Sequence, residues 1–268
     1  MKIFDVKISD TATLTCFIAG VYPEMPGVVR DAMLVLPGGG YGMCSDREGE
    51  PVVRKYLAAG LNCFMLKYST GENARDFAPL VEASLAMAHI RDNSAEYGID
   101  PERVFAVGFS AGGHLCASLG TFWNAPWLLE KLDMPYGKNK PTGTVLSYAV
   151  ISGGEIGHEG SFYNISGKTR SEDPEIYERY SVEKHVSADS APAFIWSTSD
   201  DGCVNVENSL MLAAAFKRAG MQFEMHIFPH GPHGLSIAEY ETSVNNPALI
   251  DQRVATWVQL SLEWMKGL

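Results

Sequence analysis

The sequence predicts an α/β fold: a mostly parallel twisted sheet with helices on both faces and a small cap insertion. Three observations carry this. Short apolar runs bounded by Gly, Pro, Asp or Ser alternate with longer amphipathic stretches along most of the chain. The runs are nearly continuous in apolar residues, as strands covered on both faces are. Gly60, Gly98 and Gly220 follow three of the amphipathic stretches, where a left-handed residue closes a helix.

Residues 2–8 and Thr13–Ile18 read as two strands joined at Ser9-Asp10, an antiparallel edge. The apolar runs at 32–36, 61–66, 104–107, 144–151, 193–196 and Phe223–Phe228 are too short for buried helices and read as strands. Helices are expected at 51–59, 79–97, 112–121, 206–219 and 251–265. In the second, Ala83, Met87 and Ile90 keep one apolar face. Residues 152–192, rich in Gly, Ser and charge, are too long for an ordinary connection. They read as a cap-like insertion over the active-site edge, with one short helix at Pro174–Tyr180. With no repeat and no linker, residues 1–268 are expected to form a single domain.

The 268 residues carry a net charge of −11, and 46% are hydrophobic. That length and composition suffice for a sizeable core. The charge argues against nucleic acid or an anionic membrane as partner and favours a neutral substrate. No apolar stretch approaches the roughly 20 residues of a membrane span. Five cysteines lie scattered without a C-x-x-C pair, which suggests a reducing compartment and no disulfide framework. The N-terminus alternates polar and apolar residues and lacks the apolar core of a signal peptide, so the expected location is cytoplasmic. No Cys/His zinc spacing and no P-loop occur, and neither metal nor cofactor is expected. Homo-oligomerisation is left open.

The chemistry concentrates in four places. Residues 108–112 read G-F-S-A-G between a strand and a helix, the G-x-S-x-G pattern that holds a serine on a tight turn. Side chains at 108 and 112 would collide with the neighbouring strand and helix, hence glycine at both. Ser110 is then lifted clear of the sheet above a helix N-terminus. That end, with the Ala111 N–H, favours the anion formed when a carbonyl is attacked. The plainer reading is a glycine-rich turn with an incidental serine, but such turns usually follow the first strand and read G-x-G-x-x-G.

Upstream, the strand at 32–36 ends in Pro37-Gly38-Gly39-Gly40-Tyr41-Gly42. Loops of the form H-G-G-G supply oxyanion donors from their later glycines, which selects Gly39 and Gly40 here, with Pro37 in place of the His. A flexible turn is the bland alternative. Downstream, the acid should follow a strand and the histidine should come last. Asp201-Gly-Cys-Val204 matches the D-x-x-V spacing, with Asn205 where Pro is usual. Asp200 is the alternative acid, and helix N-capping is the structural reading of either. Of seven histidines, His230 and His233 lie after the last strand, and His233, followed by Gly-Leu, is preferred as base. His89 reads as surface, His158 and His185 fall in the insertion, His226 lies inside a strand and His114 packs beneath the site.

Taken together, PGGGY, REGEP at 47–51, the elbow, DDGCVNVENSL and FPHGPHGL resemble the acetylesterase and acetylxylan-esterase-like branch of the α/β hydrolases. The resemblance covers essentially the whole chain. It implies removal of short acyl groups, often acetyl, from a small-molecule or oligosaccharide ester; the residues alone imply only ester hydrolysis. A serine peptidase of the same fold and a non-catalytic binding protein are the competing readings. Trp123, Trp127, Tyr136, Phe162 and Tyr163 could line a pocket, though core or cap packing is the commoner use of such residues.

Overall fold

Alternation of buried side chains on the central strands sets the layers. On β3 (Arg30–Leu36), Ala32, Leu34 and Leu36 enter one core while Met33 and Val35 enter the other. On β5 (Ile99–Phe109), Val104 and Ala106 likewise oppose Phe105, Val107 and Phe109. Both faces are therefore covered, and the apolar runs need no polar alternation.

The computed structural model describes residues 1–24 and 26–268. Among these, the remaining strands are β1 (Lys2–Lys7), β2 (Thr13–Ile18), β4 (Asn62–Lys67), β6 (Thr144–Ser147), β7 (Ala193–Thr198) and β8 (Phe223–Phe228). They form one eight-stranded sheet in the order β1-β2-β4-β3-β5-β6-β7-β8. The β1–β2 and β2–β4 pairs are antiparallel, and every later pair is parallel. The helices are α1 (Glu50–Ala58), α2 (Ala78–Asp92), α3 (Ser94–Tyr97), α4 (Ser110–Phe122), α5 (Pro126–Leu129), α6 (Glu159–Ser166), α7 (Pro174–Tyr180), α8 (Glu207–Ala219) and α9 (Trp257–Lys266). None is long and apolar enough to cross a membrane.

The α/β class and its mostly parallel sheet hold, and differences from the expected elements have local causes. The run at 144–151 leaves the sheet after Ser147, because Tyr148 takes a left-handed φ of 36°. The helix expected at 79–97 breaks at Asn93, whose side chain bonds back to the His89 carbonyl at 2.8 Å. The last helix begins at Trp257, after a short 3₁₀ turn at Val254–Thr256. Segment 152–192 holds α6 as well as the expected α7. His158 starts α6, its ring accepting the Ser161 N–H, a capping role that the usual N-cap residue types do not signal. Gly60, Gly98 and Gly220 do carry positive φ, at 98°, 64° and 72°.

Candidate active site

The loops that follow β3, β5, β7 and β8 all leave the carboxyl edge of one parallel sheet, so residues far apart in sequence meet there. Ser110 sits between β5 and α4 with φ at 53°, a left-handed conformation uncommon for serine. The glycines beside it make that turn possible. A Cβ on Gly108 would lie 2.1 Å from the Gly112 carbonyl oxygen, and one on Gly112 would lie 2.2 Å from the carbonyl oxygens of Leu36 and Pro37. The elbow is thus packed backbone to backbone against the end of β3.

Ser110 Oγ lies 2.8 Å from His233 Nε2, and His233 Nδ1 lies 2.7 Å from Asp201 Oδ2. An ionised carboxylate can only accept, so the imidazole proton resides on Nδ1 and the Nε2 lone pair faces the Ser110 hydroxyl. The Asp201 side chain is 1% exposed and that of His233 21%. Asp201 Oδ1 meanwhile accepts the N–H groups of Cys203 and Val204, which holds the carboxylate in place. The other Asp–His pair is built differently. Asp200 accepts from His230 at 3.0 Å, but their side chains are 51% and 83% exposed. The His230 hydrogen bond holds the Asp200 carboxyl below its usual range. Asn205, where Pro is usual, accepts the Glu207 N–H at the start of α8.

The glycine loop is bent by positive φ at Gly39 (126°), Gly40 (63°) and Tyr41 (60°). Gly39 O accepts from Gly42 and Met43, Gly38 O from Ser45, and Pro37 O from the Tyr68 hydroxyl, so the loop is fastened on its acceptor side. On its donor side the Gly38 N–H is taken by Glu48 at 2.8 Å. The Gly39 and Gly40 N–H groups have no acceptor among the described residues. The Ala111 N–H belongs to the first turn of α4, where backbone donors have no intrahelical partner. A Cβ on Gly38 would lie 3.0 Å from Ser110 Cβ, which puts this loop directly against the elbow.

Segment 152–192 borders the same loop. Asn164 Nδ2 donates to Gly40 O at 2.8 Å, and the His158 ring lies 3.8 Å from where a Gly40 Cβ would be. His158 Nδ1 accepts from Ser161, so its proton sits on Nε2; burial and the nearby His233 hold its pKa below the ordinary value. His114 is buried below, donating from Nε2 to Tyr180 O and accepting from Tyr41, both at 2.8 Å. His89 is half-buried against Tyr97 rather than at the surface. Trp123 and Phe162 are core residues, whereas Tyr136 and Tyr163 are exposed. Among the described residues, no group of three His, Cys, Asp or Glu side chains could hold a metal ion.

A serine on an elbow, a histidine from a later loop and a glycine loop beside both suggest comparison with known families. The BD-FAE family profile matches residues 22–216 of the chain. The chain belongs to the BD-FAE family. Over 228 residues it is 37% identical to an endo-1,4-β-xylanase B of Butyrivibrio fibrisolvens, matching 82% of this chain and 35% of that protein. Over 245 residues it is 31% identical to an acetylxylan esterase of Xylanibacter ruminicola, matching 89% of this chain and 47% of that one. The chain thus spans between a third and a half of the length of these curated relatives. A crystal structure of an acetyl ester-xyloside bifunctional hydrolase from Caldicellulosiruptor lactoaceticus superposes with a TM-score of 0.81 at 36% identity, covering 96% of this chain and 88% of that one. The BD-FAE match takes in Ser110 and Asp201 but ends before His233, which bonds to both.

Three residues of this candidate site were not singled out in sequence. Glu48 lies in the REGEP run that carried part of the resemblance without a role. His158 lies in segment 152–192 with no motif around it. Tyr148 sits inside an apolar run and gives no signal at all.

Proposed function

We propose that this chain is a serine carboxylic-ester hydrolase acting on short-chain acyl esters, acetyl above all, including acetylated carbohydrates. The single observation that carries the reading is the relay from Ser110 Oγ to His233 Nε2 at 2.8 Å and from His233 Nδ1 to Asp201 at 2.7 Å. His233 takes the Ser110 proton as the hydroxyl oxygen attacks the ester carbonyl. The carbonyl oxygen becomes an oxyanion, held by the N–H groups of Gly39, Gly40 and Ala111. The intermediate collapses, the C–O bond to the alcohol breaks, and the alcohol leaves with the proton from His233. Water then attacks the acyl-enzyme with His233 again as base, releasing the carboxylic acid and restoring the Ser110 hydroxyl. Net, one water cleaves one ester.

Acetyl as the acyl group and carbohydrate as the alcohol rest on the named acetylxylan esterase and acetyl ester-xyloside hydrolase relatives. The segment 152–192 serves in this reading as a small cap, with His158 and Asn164 bordering the oxyanion loop.

The test is labelling by a fluorophosphonate together with p-nitrophenyl acetate turnover, for wild type and Ser110→Ala. Wild type should label at Ser110 and turn over the ester, and the variant should do neither. Undiminished turnover in the variant rejects the mechanism, and cleavage of peptide amides but not acetyl esters rejects the ester assignment.

A further inference from the structure

The REGEP run at 47–51 has no part in the relay from Ser110 to Asp201, yet its first two residues reach the loops on either side. Glu48 ends the 3₁₀ turn Asp46–Glu48 that follows the glycine loop, and it is 4% exposed. Its Oε2 accepts the Gly38 N–H at 2.8 Å, and its Oε1 accepts the Tyr148 hydroxyl at 2.6 Å. The Tyr148 oxygen in turn accepts the N–H of Ser236 at 2.9 Å, in the loop that carries His233. The Tyr148 ring meets the His233 ring nearly edge-on, centroids 5.0 Å apart. Arg47 fastens the same loop from outside, donating to Gly234 O and Thr242 O at 2.7 Å, while Ser236 Oγ donates to Arg47 O at 2.6 Å.

We propose that Glu48 is a positioning residue: its buried carboxylate ties the oxyanion loop to the histidine loop and presents a second negative charge to His233. This assignment rests on the ester-hydrolase reading of Ser110 and His233. The directions of the hydrogen bonds suit a carboxylate, since a protonated carboxyl would add an O–H with no acceptor among the described residues. Gly38 and Ser236 can only donate through their N–H groups, so the Tyr148 proton points at Glu48 and both Glu48 oxygens must accept. A glutamine offers one acceptor and one donor, which leaves either the Tyr148 proton or the Gly38 N–H unpaired. Burial pushes the Glu48 carboxyl up, opposed by the bonds from Tyr148 and Gly38 and by the neighbouring His233 and Arg47. What the buried anion secures is geometry, since a displacement of about 1 Å at a reacting centre can cost about a hundredfold in rate.

Five titratable groups surround His233, from four places: Asp201 after β7, Tyr148 after β6, His158 at the start of α6, and Glu48 with Arg47 beside the glycine loop. Of these, Asp201 and Glu48 are the two carboxyl groups. Replacing Glu48 by glutamine removes one anion and leaves the Asp201 bond in place. With one anion fewer beside the site, the acid limb of the rate profile should move to lower pH.

The experiment compares wild type, Glu48→Gln and Tyr148→Phe in p-nitrophenyl acetate kinetics between about pH 5 and about pH 9, alongside thermal unfolding and fluorophosphonate labelling. Glu48→Gln should lower kcat by about tenfold to a hundredfold with KM within about twofold, and should shift the acid limb of kcat/KM downward. Tyr148→Phe keeps the charge, so it should lower kcat without moving that limb. A folded Glu48→Gln with wild-type kcat, or with an unmoved acid limb, overturns the assignment. If Glu48→Gln does not fold, Tyr148→Phe decides: a loss in kcat at unchanged KM sustains the tie between the loops, and wild-type kcat overturns it. A wild-type enzyme that the fluorophosphonate fails to label at Ser110 overturns the ester-hydrolase reading itself, whereas a labelled wild type with unaffected variants overturns only the role of Glu48.

Discussion

Asp200 and Asp201 are sequence neighbours in opposite situations. Asp201 is enclosed and bonded to His233 on one oxygen and to two backbone N–H groups on the other. Asp200 bonds an exposed histidine in water, where such a pair contributes little. Asp201→Asn should lower kcat by about 10⁴, because an amide no longer fixes the His233 proton on Nδ1. Asp200→Asn should leave kcat within about threefold, since its pair with His230 is an exposed ion pair away from the Ser110 relay. Parallel steady-state assays of the two variants decide between the carboxylates, and an inactive Asp200→Asn beside an active Asp201→Asn would reverse the assignment. At this scale Ser110, His233, Gly39, Gly40 and Ala111 were legible as candidates because each stands in a short sequence pattern. Glu48 and Tyr148 were not. Their meaning lies in partners 10 and 100 residues away along the chain, Gly38 and each other.

Among the elements, the elbow is held by backbone atoms, which cannot yield as a flexible side chain can. Gly112→Ala would set a methyl group 2.2 Å from two carbonyl oxygens at the end of β3. The cost should reach or exceed the upper end of the about 1–3 kcal/mol typical of overpacking. Thermal unfolding of the variant should show a lower Tm even though Ser110 is untouched, and an unchanged Tm would mean that β3 and α4 can separate without cost. Most strands and helices were readable to within a few residues, but β5 starts five residues before its expected start and α9 six residues after. The ends misread at Tyr148 and Asn93 depend on one residue's φ or one side chain bonding to the backbone, which an apolar pattern cannot express. Helix α6 escaped notice because its cap is a histidine, outside the residue types that usually signal a helix start.

For the whole molecule, burial converts His114 into a stability determinant. Enclosed and bonded to Tyr41 and Tyr180, its pKa is pushed down from 6.5 to about 4, chiefly by desolvation. The folded pKa lies below the unfolded one, so the unfolded chain binds more protons between them, and stability falls as pH drops from about 6.5 toward about 4. At pH 5 the loss attributable to this group is about 2 kcal/mol relative to pH 7. Urea unfolding at the two pH values, for wild type and His114→Gln, isolates it. The variant should lose less stability on acidification, and equal losses would show that His114 carries no pH dependence.

The sequence by itself determined the α/β class, the two covered faces, the elbow at Ser110 and the order in which an aspartate pair and a histidine loop follow it. Local pattern suffices for these, because strand periodicity, glycine at forced backbone angles and motif spacing are properties of contiguous residues. Only the tertiary structure decided which aspartate faces His233, which loop donors remain without acceptors, and that Glu48 joins the two loops. Each of those is a distance between segments that parallel strands bring to one sheet edge, and parallel neighbours are separated in sequence by whole crossover connections.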